Sequence, residues 1–101
     1  KKSNRFIIFS GIANPSSFKD LIIKNNLNIV KELIFSDHYK YKYSDVKKII
    51  DAAESLNAQI ITTEKDFVKI QKFETKKINF LKIKLKIENE DELINFLKTE
   101  L

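Results

Sequence analysis

Four short apolar runs recur along the chain, and each is followed by a segment with helical periodicity. Isoleucine and phenylalanine recur in these runs, as is typical of buried strands. The four runs are RFIIFS (5–10), NIVKELIF (28–35), AQIITT (58–63) and INFLKIKLKI (78–87). Because strand–helix alternation favours a parallel sheet covered by helices, we predict an α/β fold. The expected order is β-α-β-α-β-α-β-α, with about four strands in a mainly parallel sheet.

The helical segments begin at residue types that commonly cap helices. The helix after the second strand has the clearest pattern, because apolar residues recur from Val46 to Ala53 at i, i+3, i+4 and i+7. The lysine-rich stretch 72–77 is predicted to be an exposed loop. The predicted N-caps are Asn14 before Pro15, Ser44, Thr63 with Asp66 at capping-box spacing, and Asn89.

The length of 101 residues and an apolar content of 43% are sufficient for one domain with its own core. The chain has no cysteine, which excludes a disulfide framework, a thiolate zinc site and a thiol nucleophile. No apolar run is long enough to cross a bilayer. Since the first residue is Lys1 and not methionine, we expect an excised fragment of a longer protein.

The net charge of +5 allows a basic binding surface, but its composition favours a simpler explanation. Lysine supplies all the positive charge except for Arg5, and phosphate-binding surfaces usually favour arginine forks. We therefore interpret the lysines mainly as a compositional bias that fills solvated surfaces.

Rare residue types concentrate in the three strand-to-helix loops. These loops hold the only glycine, the only proline, the only histidine and all three tyrosines of the chain. In a parallel sheet such loops share the edge formed by the carboxyl ends of the strands, where α/β folds build their sites. The sequence therefore predicts a functional edge formed by SGIANP (10–15), SDHYKYKY (36–43) and TTEKD (62–66).

Each of these loops also has a purely structural interpretation. Asp37 can close a turn, and it need not contact His38, because adjacent residues of an extended segment point to opposite faces. Glu64 and Asp66 are expected to stabilise a helix start rather than act in catalysis. Lys65 opposes the dipole at that helix start and is therefore a candidate for holding an anion.

Nucleotide-binding motifs are missing from the sequence. Neither G-x-x-x-x-G-K-[ST] nor G-x-G-x-x-G occurs, and a single glycine cannot form a phosphate-cradling loop. One histidine without cysteine gives no convincing metal site. The chain thus encodes at most part of a nucleotide-dependent active site.

Three motifs together resemble the C-terminal domain of the tetraacyldisaccharide 4'-kinase (lipid A 4'-kinase) family. They are FSGIANPSSF (9–18), FSDHYKYKYSDV (35–46) and IITTEKDFVKI (60–70), whereas residues 71–101 match only in general pattern. The resemblance implies that residues 1–101 form the C-terminal α/β domain, a Rossmann-like three-layer half of a P-loop kinase. The N-terminal P-loop domain would lie outside this chain.

The resemblance also implies an activity. Family members transfer a phosphoryl group from ATP, with Mg²⁺, to the 4'-hydroxyl of tetraacyldisaccharide 1-phosphate and form lipid IVA in lipid A biosynthesis of Gram-negative bacteria. The full-length protein would work at the cytoplasmic face of the inner membrane, with the lipid substrate and the N-terminal domain as partners. The fragment alone is expected to be soluble and inactive, and to bind neither cofactor nor nucleic acid.

The family's Asp-His pair corresponds here to Asp37 and His38, which the resemblance places at the border of the active site. Our hypothesis is that His38 acts with a carboxylate of the other domain and that Asp37 fixes its orientation. Thr62, Thr63 and Lys65 are weaker candidates that would face the cleft or the other domain, and no metal ligand is expected.

Two other interpretations remain open at this point. Tyr39, Tyr41 and Tyr43, interleaved with lysines, would suit a non-catalytic module that stacks single-stranded nucleic acid. Alternatively, the chain is an interdomain docking piece in which the rare residues, including Tyr39, only hold loops.

Overall fold

The computed structural model of the chain describes residues 4–73 and 75–81. Within this part, four strands alternate with three helices in a single parallel sheet of order β2-β1-β3-β4, which confirms the predicted α/β fold. The elements are β1 (Arg5–Ser10), α1 (Pro15–Lys24), β2 (Asn28–Ile34), α2 (Tyr43–Leu56), β3 (Gln59–Thr63), α3 (Glu64–Ile70) and β4 (Ile78–Leu81).

The sheet is covered on both faces, because the side chains of its central strand β1 alternate between two cores. Phe6 and Ile8 join the cluster on the side of α1, whereas Ile7 and Phe9 join the cluster formed with α2 and α3. All four side chains are buried. The helices contribute Phe18 and Ile22 from α1, Val46, Ile49 and Ala53 from α2, and Ile70 from α3. The result is the three-layer arrangement of a Rossmann-like half.

The strand order gives the sheet a point at which the chain changes direction. From β1 the chain crosses through α1 to β2 on one side, whereas from β3 it crosses through α3 to β4 on the other side. The neighbouring strands β1 and β3 therefore send their connections apart at their carboxyl ends. Ligands of open α/β sheets commonly bind at such a switch point.

Two of the predicted helix starts agree with the structure, and a third does not. Pro15 is the first residue of α1, and the Thr63 hydroxyl accepts a hydrogen bond from the Asp66 N–H as the cap of α3. The predicted cap at Ser44 is wrong, because α2 begins at Tyr43 with Lys42 in the N-cap position. The shift arises because the Asp45 carboxylate reaches back to accept the Lys42 N–H at 2.9 Å, which extends the helix by two residues.

The described part ends within the last predicted strand. The residues between α3 and β4 that are described, 71–73 and 75–77, belong to no helix or strand, as predicted for this loop. The second half of the predicted strand 78–87 and the helix predicted after Asn89 lie outside the described residues. Among the helices described, none has both the length and the apolar character needed to cross a membrane.

Candidate functional site

The carboxylate of Asp66 lies at the centre of the edge where the three strand-to-helix loops meet. Its side chain belongs to the first turn of α3 and is completely buried. Oδ1 accepts hydrogen bonds from the Gly11 N–H and from the Tyr41 hydroxyl, each at 3.0 Å. Oδ2 accepts the Thr63 hydroxyl at 2.6 Å. One carboxylate thus joins all three loops, and we refer to Gly11, Tyr41, Thr63 and Asp66 as the Asp66 cluster.

Close packing, and not an unusual backbone conformation, favours glycine at position 11. A Cβ added at this position would lie 3.0 Å from the carbonyl oxygen of Ser36 and 3.3 Å from both the Asp66 Oδ1 and the Tyr41 hydroxyl oxygen. The first loop therefore approaches the second loop at backbone contact distance. The same two loops are also joined by the Phe35 N–H, which donates to the Ser10 carbonyl at 2.8 Å.

Aromatic rings hold the second loop against the sheet. Tyr41 packs edge-on against Phe9, Phe35 and Tyr39, with ring centroids 5.8, 5.0 and 5.1 Å apart. Such edge-on pairs stabilise a packed structure by about 0.5–1.5 kcal/mol beyond area burial. The Tyr39 hydroxyl in turn donates to the Asp45 carboxylate at 2.9 Å, which ties the loop to the start of α2.

Burial and carboxylates keep these two tyrosines protonated. Burial, together with the charge of Asp66 and the hydrogen bond to it, raises the pKa of Tyr41 well above its ordinary value of 10. The hydrogen bond to Asp45 raises the pKa of Tyr39. Tyr41 therefore serves as a neutral donor to Asp66 at any physiological pH.

His38 lies at the tip of a tight turn and points outward. The Tyr39 N–H donates to the Ser36 carbonyl at 3.0 Å, and His38 occupies the third position of this turn with φ +64°. A positive φ is uncommon for residues other than glycine, although histidine adopts it more readily than most. The His38 side chain is 79% exposed. The turn thus exposes the imidazole to solvent, while the Tyr39–Ser36 hydrogen bond fixes its backbone.

Asp37 lies between the side chains of His38 and Lys65 on the exposed surface of this edge. Its Oδ2 is 3.6 Å from the His38 Nε2, and its Oδ1 is 3.5 Å from the Lys65 Nζ. The two residues predicted as a pair are therefore neighbours in space, although 3.6 Å exceeds hydrogen-bond distance. We call Asp37, His38 and Lys65 the rim.

The two threonines that were expected to face a cleft are instead in the interior. The Thr62 hydroxyl donates to the Phe9 carbonyl at 2.7 Å, and the Thr63 hydroxyl belongs to the Asp66 cluster. Both side chains are buried, because β3 is flanked by strands on both sides and capped by α3. Of the three weaker candidates, only Lys65 is exposed, at 51% of its side chain.

Sequence analysis missed the joining role of Asp66. The Thr63–Asp66 spacing correctly predicted a local helix cap, and the structure places Asp66 there. The two further donors come from residues 55 and 25 positions away in sequence, so local spacing contains no trace of them. The concentration of the only glycine and the tyrosines in adjoining loops was the available indication.

The switch point of the sheet is occupied by a side chain of the chain itself. The Asp66 carboxylate lies at the switch point between β1 and β3 and accepts a hydrogen bond from the Gly11 N–H. A buried carboxylate also repels an anion. Within residues 4–73 and 75–81, no group of three or more His, Cys, Asp or Glu side chains is arranged to hold a metal.

The tyrosines are poorly placed to stack nucleic-acid bases. Tyr41 is buried and Tyr39 is partly buried within the aromatic packing of the second loop. Tyr43 is 58% exposed, but its ring lies against Phe73 at 6.2 Å. A row of three open rings, which the nucleic-acid interpretation requires, is therefore not formed.

Comparison with known proteins gives a consistent assignment. The family model described as Tetraacyldisaccharide-1-P 4'-kinase matches residues 1–101. The tetraacyldisaccharide 4'-kinase of Pelagibacter ubique (strain HTCC1062) is 38% identical over 96 residues, covering 95% of this chain and 31% of the relative. That of Rickettsia typhi (strain ATCC VR-144 / Wilmington) is 39% identical over 90 residues, covering 89% and 28%.

The chain spans less than a third of the length of these curated relatives. No solved structure matches it significantly. Since the family model covers every residue and the relatives cover most of them, this chain belongs to the tetraacyldisaccharide-1-P 4'-kinase family.

Proposed function

We propose that this chain is the C-terminal domain of an ATP-dependent kinase that phosphorylates the 4'-hydroxyl of tetraacyldisaccharide 1-phosphate to form lipid IVA. The observation that carries the proposal is the rim: Asp37, His38 and Lys65 stand exposed above a buried carboxylate that joins their loops. The relatives that share this region are named as tetraacyldisaccharide 4'-kinases.

His38 is the residue of this chain that we assign to the transfer step. Phosphoryl transfer requires a group that orients the attacking hydroxyl or accepts its proton. An imidazole can do so at neutral pH, either directly or together with a carboxylate supplied by a partner domain. The fixed backbone turn and the exposed ring of His38 suit docking against such a partner. Asp37, whose carboxylate lies 3.6 Å from the ring, is the residue that we assign to orienting it.

ATP and Mg²⁺ are assigned to an N-terminal P-loop domain of the same protein. ATP supplies the phosphoryl group when it is bound there. The buried Asp66 carboxylate at the switch point supports that division, because a carboxylate repels a phosphate. The domain's contribution is then to close over the reacting groups with its rim. The full-length protein would act at the cytoplasmic face of the inner membrane, where its lipid substrate resides.

The test is the turnover of the full-length protein with His38 replaced. We expect both His38→Ala and His38→Asn to lower kcat by about 10²–10⁴-fold, the usual contribution of acid–base catalysis. Asparagine tolerates a positive φ and so preserves the turn, which separates loss of the imidazole from loss of backbone geometry. The measurement is phosphate transfer to the tetraacyldisaccharide 1-phosphate substrate, with unfolding curves as a check on stability.

Near-normal turnover of His38→Asn would remove His38 from the reaction. It would leave the docking interpretation, in which the three loops only hold the domain against its partner. A loss with His38→Ala that His38→Asn restores would show that the turn, and not the imidazole, is required.

The isolated fragment gives an independent test of the assignment of ATP to the other domain. We expect the 101-residue chain to show no ATP hydrolysis, because its sequence has no phosphate-binding loop motif and we assign ATP to the other domain. Hydrolysis by a pure sample that disappears with His38→Asn would contradict the assignment of ATP to another domain.

A further inference from the structure

Two connections join the second and third loops, one on the surface and one in the interior. On the surface, the Asp37 carboxylate lies 3.5 Å from the Lys65 ammonium. In the interior, the Tyr41 hydroxyl donates to Asp66 at 3.0 Å. Lys65 and Asp66 are adjacent residues of α3, whereas Asp37 and Tyr41 belong to the same loop. The two connections therefore control the same relative position of the two loops.

The interior connection is the stronger of the two. An exposed pair of lysine and aspartate is screened by water and salt and holds its partners weakly. A buried hydrogen bond to a carboxylate is not screened, and breaking it leaves a polar group without a partner. The buried hydrogen bond between Tyr41 and Asp66 therefore determines the position of the rim.

We propose that Asp66 and Tyr41 are positioning residues that hold the Asp37–His38 turn in the geometry required for phosphoryl transfer. This proposal rests on the function proposed above for His38. Asp66 is completely buried and acts through the loop that carries Tyr41. The Gly11 N–H, which binds the same Oδ1, fixes the height of the carboxylate relative to the sheet. A displaced turn moves the imidazole away from the reacting hydroxyl, and displacements of about 1 Å can lower turnover by about 10²-fold.

The experiment is a double-mutant cycle in the full-length protein with Tyr41→Phe and His38→Asn. Tyr41→Phe keeps the ring that packs on Phe9 and Phe35 and removes only the hydroxyl. We expect it to lower kcat by about 10-fold to 100-fold while KM for both substrates changes little. In the His38→Asn background, the same change should have no further effect on kcat. The matched control is Tyr43→Phe, an identical change at a largely exposed ring, which should leave kcat unchanged.

A second variant covers the case in which Tyr41→Phe does not fold. Asp66→Asn keeps the shape of the side chain and one oxygen acceptor for Gly11 and Tyr41, so it should retain more turnover than Asp66→Ala. In the His38→Asn background, Asp66→Asn should likewise cause no further loss of kcat.

Each outcome decides a different question. Equal loss of kcat from Tyr41→Phe in both backgrounds would mean that Tyr41 acts independently of His38 and would overturn the proposal. Unchanged kcat for Tyr41→Phe, with a large loss for His38→Asn, would also overturn it while leaving the proposed function intact. Unchanged kcat for His38→Asn would overturn both.

Discussion

The Asp66 cluster draws on all three motifs and the rim on the second and third, and both occupy the same edge of the sheet, yet their environments are opposite. Asp66 is fully buried and accepts three hydrogen bonds, whereas His38 is 79% exposed and has no neighbour within hydrogen-bond distance among the described residues. The comparison separates two reasons for placing rare residues at one edge. One group stabilises the loops, and the other is presented to a partner.

The largest expected difference between the two groups is in stability. Asp66→Ala leaves the Gly11 N–H and the hydroxyls of Tyr41 and Thr63 without their acceptor, and each buried orphan costs about 1–3 kcal/mol. We therefore expect the free energy of unfolding of the chain to fall by at least about 3 kcal/mol. Urea unfolding followed by circular dichroism measures it. Asp37→Ala is the matched control on the rim and should change stability by less than about 1 kcal/mol.

The next effect concerns space around Gly11. Gly11→Ala introduces a methyl group 3.0 Å from the Ser36 carbonyl oxygen, which requires the first two loops to separate. Overpacking of this kind costs about 1–3 kcal/mol in the same unfolding experiment. Ala13→Ser, an exposed change in the same loop, should lie within about 0.5 kcal/mol of the wild type. Equal stability of the two variants would show that the loops are not in close contact.

These contrasts also indicate what the sequence could supply. Apolar runs predicted the described strands to within a residue or so, and cap spacing predicted the start of α3. Both succeeded because burial and capping depend on residues close together in sequence. The N-cap of α2 was placed two residues late, since Asp45 reaches back across the first turn to Lys42. The convergence on Asp66 depends on contacts between residues 25 and 55 positions apart, and the strand order depends on pairings between residues 18 to 53 positions apart. Periodicity contains no information about such contacts.

The candidate site divides in the same way. The rare histidine beside an aspartate was visible in the sequence, and the structure places the two side chains together on the surface. The threonines of the third motif were as conspicuous but are buried, because their hydroxyls bind the Phe9 carbonyl and Asp66. A polar residue at a strand end can serve the interior or the surface, and only the packing of neighbouring loops decides which.

Alkaline pH should act on the Asp66 cluster through Tyr41. Because the folded state raises the pKa of Tyr41 above 10, the stability associated with its proton is complete below pH 10. That stability is lost as the pH rises above 10 towards the higher pKa of the folded state. We expect the unfolding free energy of Tyr41→Phe to fall less steeply above pH 10 than that of the wild type. Tyr43→Phe should follow the wild-type curve, and parallel curves for all three proteins would contradict the buried tyrosine.

The smallest effect is expected at the surface pair. Lys65→Ala removes a contact of 3.5 Å between two side chains that remain partly exposed, and such pairs contribute about 0–1 kcal/mol. We expect the unfolding free energy to fall by less than about 0.5 kcal/mol, and we expect this difference from the wild type to vanish at high salt. A loss as large as that of Gly11→Ala would mean that the rim itself holds the two loops together.

Hydrogen exchange at Gly11 tests the central claim most directly. It is the only glycine of the chain, so its amide gives a distinct signal in ¹H–¹⁵N spectra. Although Gly11 lies in a loop, its N–H is donated to the buried Asp66 carboxylate, and we expect strong protection that is lost in Asp66→Ala while the amides of β1 stay protected. Exchange of the Gly11 amide in the wild type as fast as in an unstructured chain would contradict the account, since the carboxylate would then not join the three loops.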